Sequence, residues 1–442
     1  MNAMSRFLRL FLLMFLEYAI CGAWAPTAAV YFQSNGQGGM NVSGVQMGLL
    51  FLLMPLATII MPPVFGSLAD RYIRTDRLLG LLHVFSGLAL IAAAKQTNFN
   101  WAMVCLGLHA LLYAPTVALA NSLVFAHLDD HHRQFTPIRL AGTIGWMSAG
   151  LGLSLWRLKF HAPVGDLFLL GGGLSLLLGL FSLLLPATPP TKSASGRFAF
   201  GKAVKLLRNP NFMVLILVGT VASAMFDYYY LFAGGFLSAP RVDALKSALP
   251  ESYFNPGAAG VGIPLTKLSA VMTIAQFGEL LMMLCLPWLI RKIGIKWVLS
   301  LGLMAWPLRY AFFVFFPSSP VALLGLLIHG LCIPCFLIAG FMYTEHVAPP
   351  DIRASAQSLF LLSSQGIGRA IGALMAGISQ NQNTSTLPAK VAIPGGNDIG
   401  KLVDWQAMFI VPLGVGLACA LVFPFIFKSE QKSELTKPAG TS

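Results

Sequence analysis

The sequence predicts an all-α membrane protein of twelve spans, arranged as two six-helix halves. Three observations predict it. Of its 442 residues, 56% are hydrophobic and 10% charged, and the mean hydropathy is +0.74. A soluble domain carries roughly 25% charged residues, so this chain could not cover its own surface in water. Its apolar runs last roughly 20 residues, the length that crosses a bilayer as a helix, whereas barrel strands alternate apolar and polar over about ten. The basic residues, finally, sit mostly between the runs and divide unequally between alternate connections.

The elements follow in order. Arg6 and Arg9 precede an apolar run reaching about Phe32. It imitates a signal peptide but exceeds the roughly 7–15 residues of such a core, so it is read as the first span. The runs fall at 8–32, 45–69, 78–94, 100–126, 133–157, 164–186, 212–238, 266–290, 297–316, 320–346, 353–379 and 405–427. The fifth is the weakest, because Pro137 and Arg139 interrupt its start. Gly and Pro within runs are tolerated in membrane helices, where they permit close packing and kinks.

Between spans six and seven the chain turns polar, with Pro189, Pro190, two serines, two glycines and five basic residues. The expected organisation is a first bundle over 1–186, a basic linker over 187–211, a second bundle over 212–428 and a tail over 429–442. One set of connections, with both termini, holds 18 Lys and Arg; the opposite set holds 8. The positive-inside rule then places both termini in the cytoplasm. It also accounts for the net charge of +13, which forms no basic patch interleaved with aromatics and so argues against nucleic acid as a partner. The six cysteines all lie within apolar runs, and Cys332-x-x-Cys335 alone offers too few ligands for zinc.

After span two comes Gly66-x-Leu68-Ala69-Asp70-Arg71-x-x-Arg74-x-x-Arg77, echoed faintly after span eight by Ile290-Arg291-Lys292-Ile293-Gly294. The first string resembles the signature loop of the major facilitator superfamily, with Ile73 in place of its usual Gly. The resemblance implies that superfamily's fold, two pseudo-symmetric six-helix bundles around a central site. It also makes Asp70, Arg71 and Arg74 candidate gating residues. Asp70 suits the positive end of a neighbouring helix, and Arg71 suits carboxylates across the seam between halves.

Ionisable residues inside spans are costly and point to function. Here they are Glu17, Arg139, Asp227, Glu279, Arg309 and Arg369. Helical spacing puts Arg139, Thr143 and Trp146 on one face, Gln276 with Glu279 on another, and Asp227 with Tyr230 on a third. Such a set of charges, amides and rings suits a flat, hydroxyl-rich solute, sugars included.

A narrower resemblance lies in four strings. They are Pro137-Ile138-Arg139-Leu140-Ala141-Gly142-Thr143-Ile144-Gly145-Trp146, Gln276-Phe277-Gly278-Glu279, Ile352-Arg353-Ala354-Ser355-Ala356-Gln357 and Asp404-Trp405-Gln406. With Cys21-Gly22-Ala23-Trp24 they resemble the bacterial permeases of the nucleoside:proton symporter family. The resemblance implies a nucleoside site lined by Arg139, Thr143, Trp146, Gln276 and Glu279, with Glu279 in proton coupling, in the bacterial inner membrane. The sequence departs from that family in span ten, where its aromatic and aromatic–acid positions match His329, Ile333 and Pro334, so the coupling acid is missing. Family amides match Asp227 and Tyr230, and a family Gln matches Glu17. Glu17 and Asp227 are therefore candidate second acids for coupling, and Asp227, Tyr230 and His329 join the candidate binding residues.

The loop of His127, Asp129, Asp130, His131 and His132 has no ligand spacing, and no metal site is expected. No phosphate-cradling loop and no nucleophile–base pair appears, so neither ATP-driven transport nor an enzyme is expected. The expected function is nucleoside import by proton symport through alternating access. A carrier of another polar solute, such as a sugar or modified nucleobase, is one alternative, and a non-transporting receptor another. The expected partners are a small-molecule substrate, protons and membrane lipid. A monomer with no cofactor beyond the proton is expected.

Overall fold

The computed structural model describes residues 3–34, 40–128, 131–160, 165–190, 203–349, 352–392 and 399–428. Eleven helices are long and apolar enough to cross a membrane: Met4–Gln33, Gly44–Arg71, Thr75–Ala93, Phe99–Ala126, Asp166–Leu184, Pro210–Ser238, Leu265–Ile293, Ile295–Phe315, Pro320–Val347, Ser355–Gln382 and Trp405–Ile426. Between the fourth and fifth of these lies His131–Phe160, a continuous helix of 30 residues. It falls short on apolarity because it carries Arg139, Arg157 and Lys159, but it packs against spans one and eight like the others. We number it span five, which makes twelve. Most of the linker, 191–202, and the tail from 429 lie outside the described residues.

Local chemistry sets the interruptions. Pro26 lies in the turn, residues 25–27, that divides span one into Ala3–Trp24 and Ala28–Gln33. Ser43 opens span two with a reciprocal capping box: its hydroxyl accepts from Gln46 N–H, and the Gln46 side chain accepts from Ser43 N–H. Spans ten and eleven each contain a wide π-helical stretch, Ile333–Ile338 and Leu362–Gly368. Such stretches are rare and concentrate at functional sites.

Span one packs on five and six, two on four, and three on four and six. In the second group nine packs on ten and twelve, eight on ten, and seven on eleven and twelve. Across the seam span two meets eleven, and span five meets eight. Toward the side away from the termini the two groups share one apolar core, in which Phe32, Met47 and Leu153 join Phe232, Leu268 and Ala376. Toward the terminal side the cores separate. One contains Leu10, Leu79, Leu123 and Leu178, the other Phe212, Leu299, Phe360 and Phe423.

The close contacts agree. A Cβ built on Gly44 would lie 2.5 Å from Gly377 O, and one on Gly48 2.7 Å from Ala373 O. Gln33 and Gln380 exchange amide hydrogen bonds of 2.6 and 3.0 Å, and Ala270 N–H donates to Ser154 Oγ at 2.9 Å. All of these lie in the far-side half of their spans. The seam is thus joined on the far side and up to mid-height, where a Cβ built on Gly366 would lie 2.6 Å from Ile59 Cγ1, while the apolar cores of the halves separate toward the termini.

On the far side the second half also carries a small cap. Helix Val242–Ala248 packs on a hairpin of β1 (Thr384–Val391) and antiparallel β2 (Ile399–Val403) through Leu245, Leu249, Leu387 and Leu402.

Candidate functional site

The candidate residues gather at mid-height along the seam. On the first-half wall, the Arg139 guanidinium lies over the Tyr18 ring at 4.4 Å from its centroid. Gly142, one turn on, permits this: a Cβ there would sit 2.7 Å from Tyr18 and 3.1 Å from Arg139 Nη1. Across the seam Arg139 is the charged neighbour of Glu279. One turn earlier the Gln276 carbonyl oxygen is buried without a hydrogen-bond partner, an acceptor left open at the site. Gly278 presses its backbone on span ten, where a Cβ would lie 2.5 Å from Leu327 O, and this contact fixes the face that carries Glu279. Thr143 is buried beside Gly142, and half-buried Trp146 packs against the shared far-side core.

The second-half wall holds a buried ion pair. Arg369 donates from Nε and Nη2 to Asp227 Oδ1 at 3.0 and 2.8 Å, while Oδ2 has no partner. The same guanidinium covers the rings of Tyr230 at 4.5 Å and Phe226 at 5.1 Å. Tyr230 stacks on Phe226 and meets Phe51 of the first half edge-on at 5.8 Å. Arg369 is the first residue after the π stretch of span eleven, whose register aims it at Asp227. Asp227 and Tyr230 thus share a face, as their spacing predicts, and Arg369 completes the group.

His329 stacks on Phe226 and Tyr229, its ring centroid 5.8 and 4.9 Å from theirs. Its Nδ1 lies 2.8 Å from Nη1 of Arg309. A guanidinium has donors and no acceptor, so Nδ1 must be the acceptor and the ring proton belongs on Nε2. Arg309 is fully buried among Tyr229, Trp306 and Tyr310, at 4.1, 4.9 and 4.9 Å from their ring centroids.

Glu17 is not in this group. It is buried inside the first half against His83 of span three, with Nε2 and Oε2 2.8 Å apart. His83 belongs to no motif and stands as one histidine in an apolar run; its one signal is the cost of an ionisable group at that depth. Tyr18 likewise belongs to no motif, and its signal is its place beside Glu17 on the face toward Arg139.

The loop after span two differs from expectation. Asp70 and Arg71 are exposed and, among the described residues, form no hydrogen bond or ion pair. The acid at a helix N-terminus is instead Asp76, buried in the first turn of span three. It accepts from Arg74 at 2.8 Å and from Thr188 N–H at 3.0 Å. That bond holds the Arg74 guanidinium above its ordinary pKa and ties it within its own half. His127 bonds Thr188 Oγ1 at 2.9 Å, while Asp129 and Asp130 lie outside the described residues.

The family model for the nucleoside H+ symporters matches residues 4–432. This chain belongs to that family. Among curated relatives, the "Putative nucleoside transporter YegT" of Escherichia coli (strain K12) is 31% identical over 97% of this chain and 95% of its own length. The "Xanthosine permease" of the same organism is 28% identical over 98% and 99%. Of solved structures, "Crystal structure of nucleoside transporter NupG" superposes with a TM-score of 0.77 at 25% identity, covering 97% of this chain and all of that one. A peptide transporter superposes at 0.70 with 14% identity, which marks the fold alone. As a nucleoside H+ symporter family member with the major facilitator fold, the chain is an integral membrane transporter. The seam between its halves is where such carriers hold their substrate.

Proposed function

We propose that this protein imports nucleosides by proton symport, with its termini in the cytoplasm of a bacterium and its spans in the inner membrane. One observation carries the substrate class. At mid-height a guanidinium on a tyrosine, an unpartnered amide oxygen and a carboxylate face an aromatic wall headed by a second guanidinium. Ribose hydroxyls suit Glu279, Gln276 and Arg139, while a flat base suits the rings of Trp146, Tyr230 and Phe226. Thr143 and His329 supply further polar contacts, the latter through the N–H on Nε2. Glu279, with Arg139 as its charged neighbour and Gln276 one turn away, is the coupling acid at the substrate. Asp70, Arg71 and Arg74 govern the terminal-side gate. The protein works as a monomer, moves its substrate chemically unchanged and needs no cofactor beyond the proton.

Purified protein should be melted in detergent with nucleosides, nucleobases, sugars and dipeptides in parallel. A ligand of the folded state at about 100 times its Kd adds roughly 2.7 kcal/mol of stability. Nucleosides should raise the melting temperature and sugars should not. A shift with sugars alone overturns the substrate class and favours the second reading, a carrier of another polar solute.

A further inference from the structure

A polar network runs through the first half, behind the wall that carries Arg139. Glu17 and His83 are both sealed from solvent. Thr116 donates to Glu17 Oε1 at 2.7 Å, and the Tyr113 hydroxyl donates to Glu17 O at 2.7 Å. On the other side of the imidazole, Ser175 Oγ lies 3.2 Å from His83 Nδ1 and 2.8 Å from His83 O. The network continues to His109, whose Nδ1 is 2.8 Å from Ser86 Oγ and whose ring stacks on Tyr113. Its Nε2 is buried with no partner.

Burying a carboxylate and an imidazole costs several kcal/mol per ion, which packing alone would not require of a helix bundle. Glu17, Asp227 and Glu279, the carboxylates deep within spans, also differ in what they face. Asp227 meets Arg369 and Glu279 has Arg139 as its charged neighbour, and a guanidinium does not give up its proton. Glu17 meets an imidazole, whose ring nitrogens can each carry or release a proton.

Hydrogen-bond accounting gives the network two settings. In one, His83 carries a single proton on Nε2, donated to the Glu17 carboxylate, and the Ser175 hydroxyl donates to Nδ1. When one proton arrives from water, Nδ1 also carries hydrogen and donates to Ser175 Oγ. The Ser175 hydroxyl then turns to His83 O, already 2.8 Å away. No bond to Glu17 breaks, and the charge of the pair changes by one.

We propose that Glu17 and His83 form a second proton-binding site of the transport cycle, inside the first half and apart from the substrate cavity, with Ser175 as its switching hydroxyl. This rests on the proton-symport reading. The titratable groups facing it are Tyr18 and Cys21 of span one and His109 and Tyr113 of span four, and Arg139 of span five lies beyond Tyr18. The link to the cavity is short, because Tyr18, next to Glu17 in the chain, is the ring beneath Arg139.

Two measurements decide it. In 15N-histidine-labelled protein without substrate, one imidazole signal should change with pH, and that change should be altered in Glu17→Gln. If that variant cannot be purified, Ser175→Ala must move the same signal. If no signal both titrates and responds, the proposal fails whatever the substrate. In proteoliposomes with radiolabelled uridine, Glu17→Gln should retain counterflow but lose about tenfold or more of its pH-driven accumulation, the scale of a site-to-site coupling. Accumulation like wild type overturns the second site. Absence of uridine counterflow in wild type instead overturns the nucleoside reading and leaves the titration to judge this one.

Discussion

At the residue scale, buried charges set the strongest expectations. Arg369 is 16% exposed and Asp227 1%, and the guanidinium supplies both hydrogen bonds given to that carboxylate. Removing one partner of such a pair costs about 3–5 kcal/mol because the other is left uncompensated, whereas neutralising both costs far less. Arg369→Ala should therefore lower apparent stability more than the Asp227→Asn/Arg369→Gln double variant, read as melting temperature in detergent. Equal losses would mean that the pair is not coupled. Arg139 differs, being half-buried on Tyr18 and, among the described residues, in no ion pair within hydrogen-bonding distance. Arg139→Ala should insert and fold normally yet abolish nucleoside uptake. Near-normal uptake by a well-expressed variant would reduce Arg139 to a packing residue.

At the element scale, most of the spans were legible because one physical quantity, apolar length, decides them. The predicted run 212–238 is observed as Pro210–Ser238, and 405–427 as Trp405–Ile426. Span five was the weakest run for the reason it matters: Arg139 and Pro137 lower its apolarity. The far-side cap was not legible. Val242–Ala248 is only seven residues, and β1 alternates polar and apolar residues too weakly to stand out beside the spans. The π stretches left no trace either, since a wide turn needs no distinctive composition. Nor did side-chain spacing reveal the seam of spans two and eleven, which depends on Gly44, Gly48 and Gly377 having no side chains. A valine at Gly377 would drive methyl groups into the backbone of span two, where even the Cβ is 2.5 Å from Gly44 O. Gly377→Val should therefore hold the far side open. Electron–electron distances between spin labels at Asn41 and Asn383 should lengthen relative to the unsubstituted pair; unchanged distances would show that the seam closes elsewhere.

At the scale of the whole molecule, the halves form one arrangement of a rocking pair, joined on the far side and parted toward the termini. Alternating access requires the reverse arrangement as well, with new contacts on the terminal side. Asp70 and Arg71 are exposed and, among the described residues, without partners, so they contribute little to this arrangement. They stand at the terminal end of span two, where the halves must meet when the cleft closes on that side. A group partnered in one state and free in the other affects stability only in the first, so its removal shifts the population toward the second. Asp70→Asn should therefore favour the arrangement described here. A bias of about 1.4 kcal/mol changes the ratio of the two states tenfold, enough to slow a cycle that must visit both. Uptake should fall steeply, while equilibrium nucleoside affinity, set at mid-height by residues that Asp70 does not touch, should change little. Distances between labels on the terminal ends of spans two and eleven should show the open population rising. A large loss of affinity with an unchanged distance distribution would place Asp70 in binding rather than in gating.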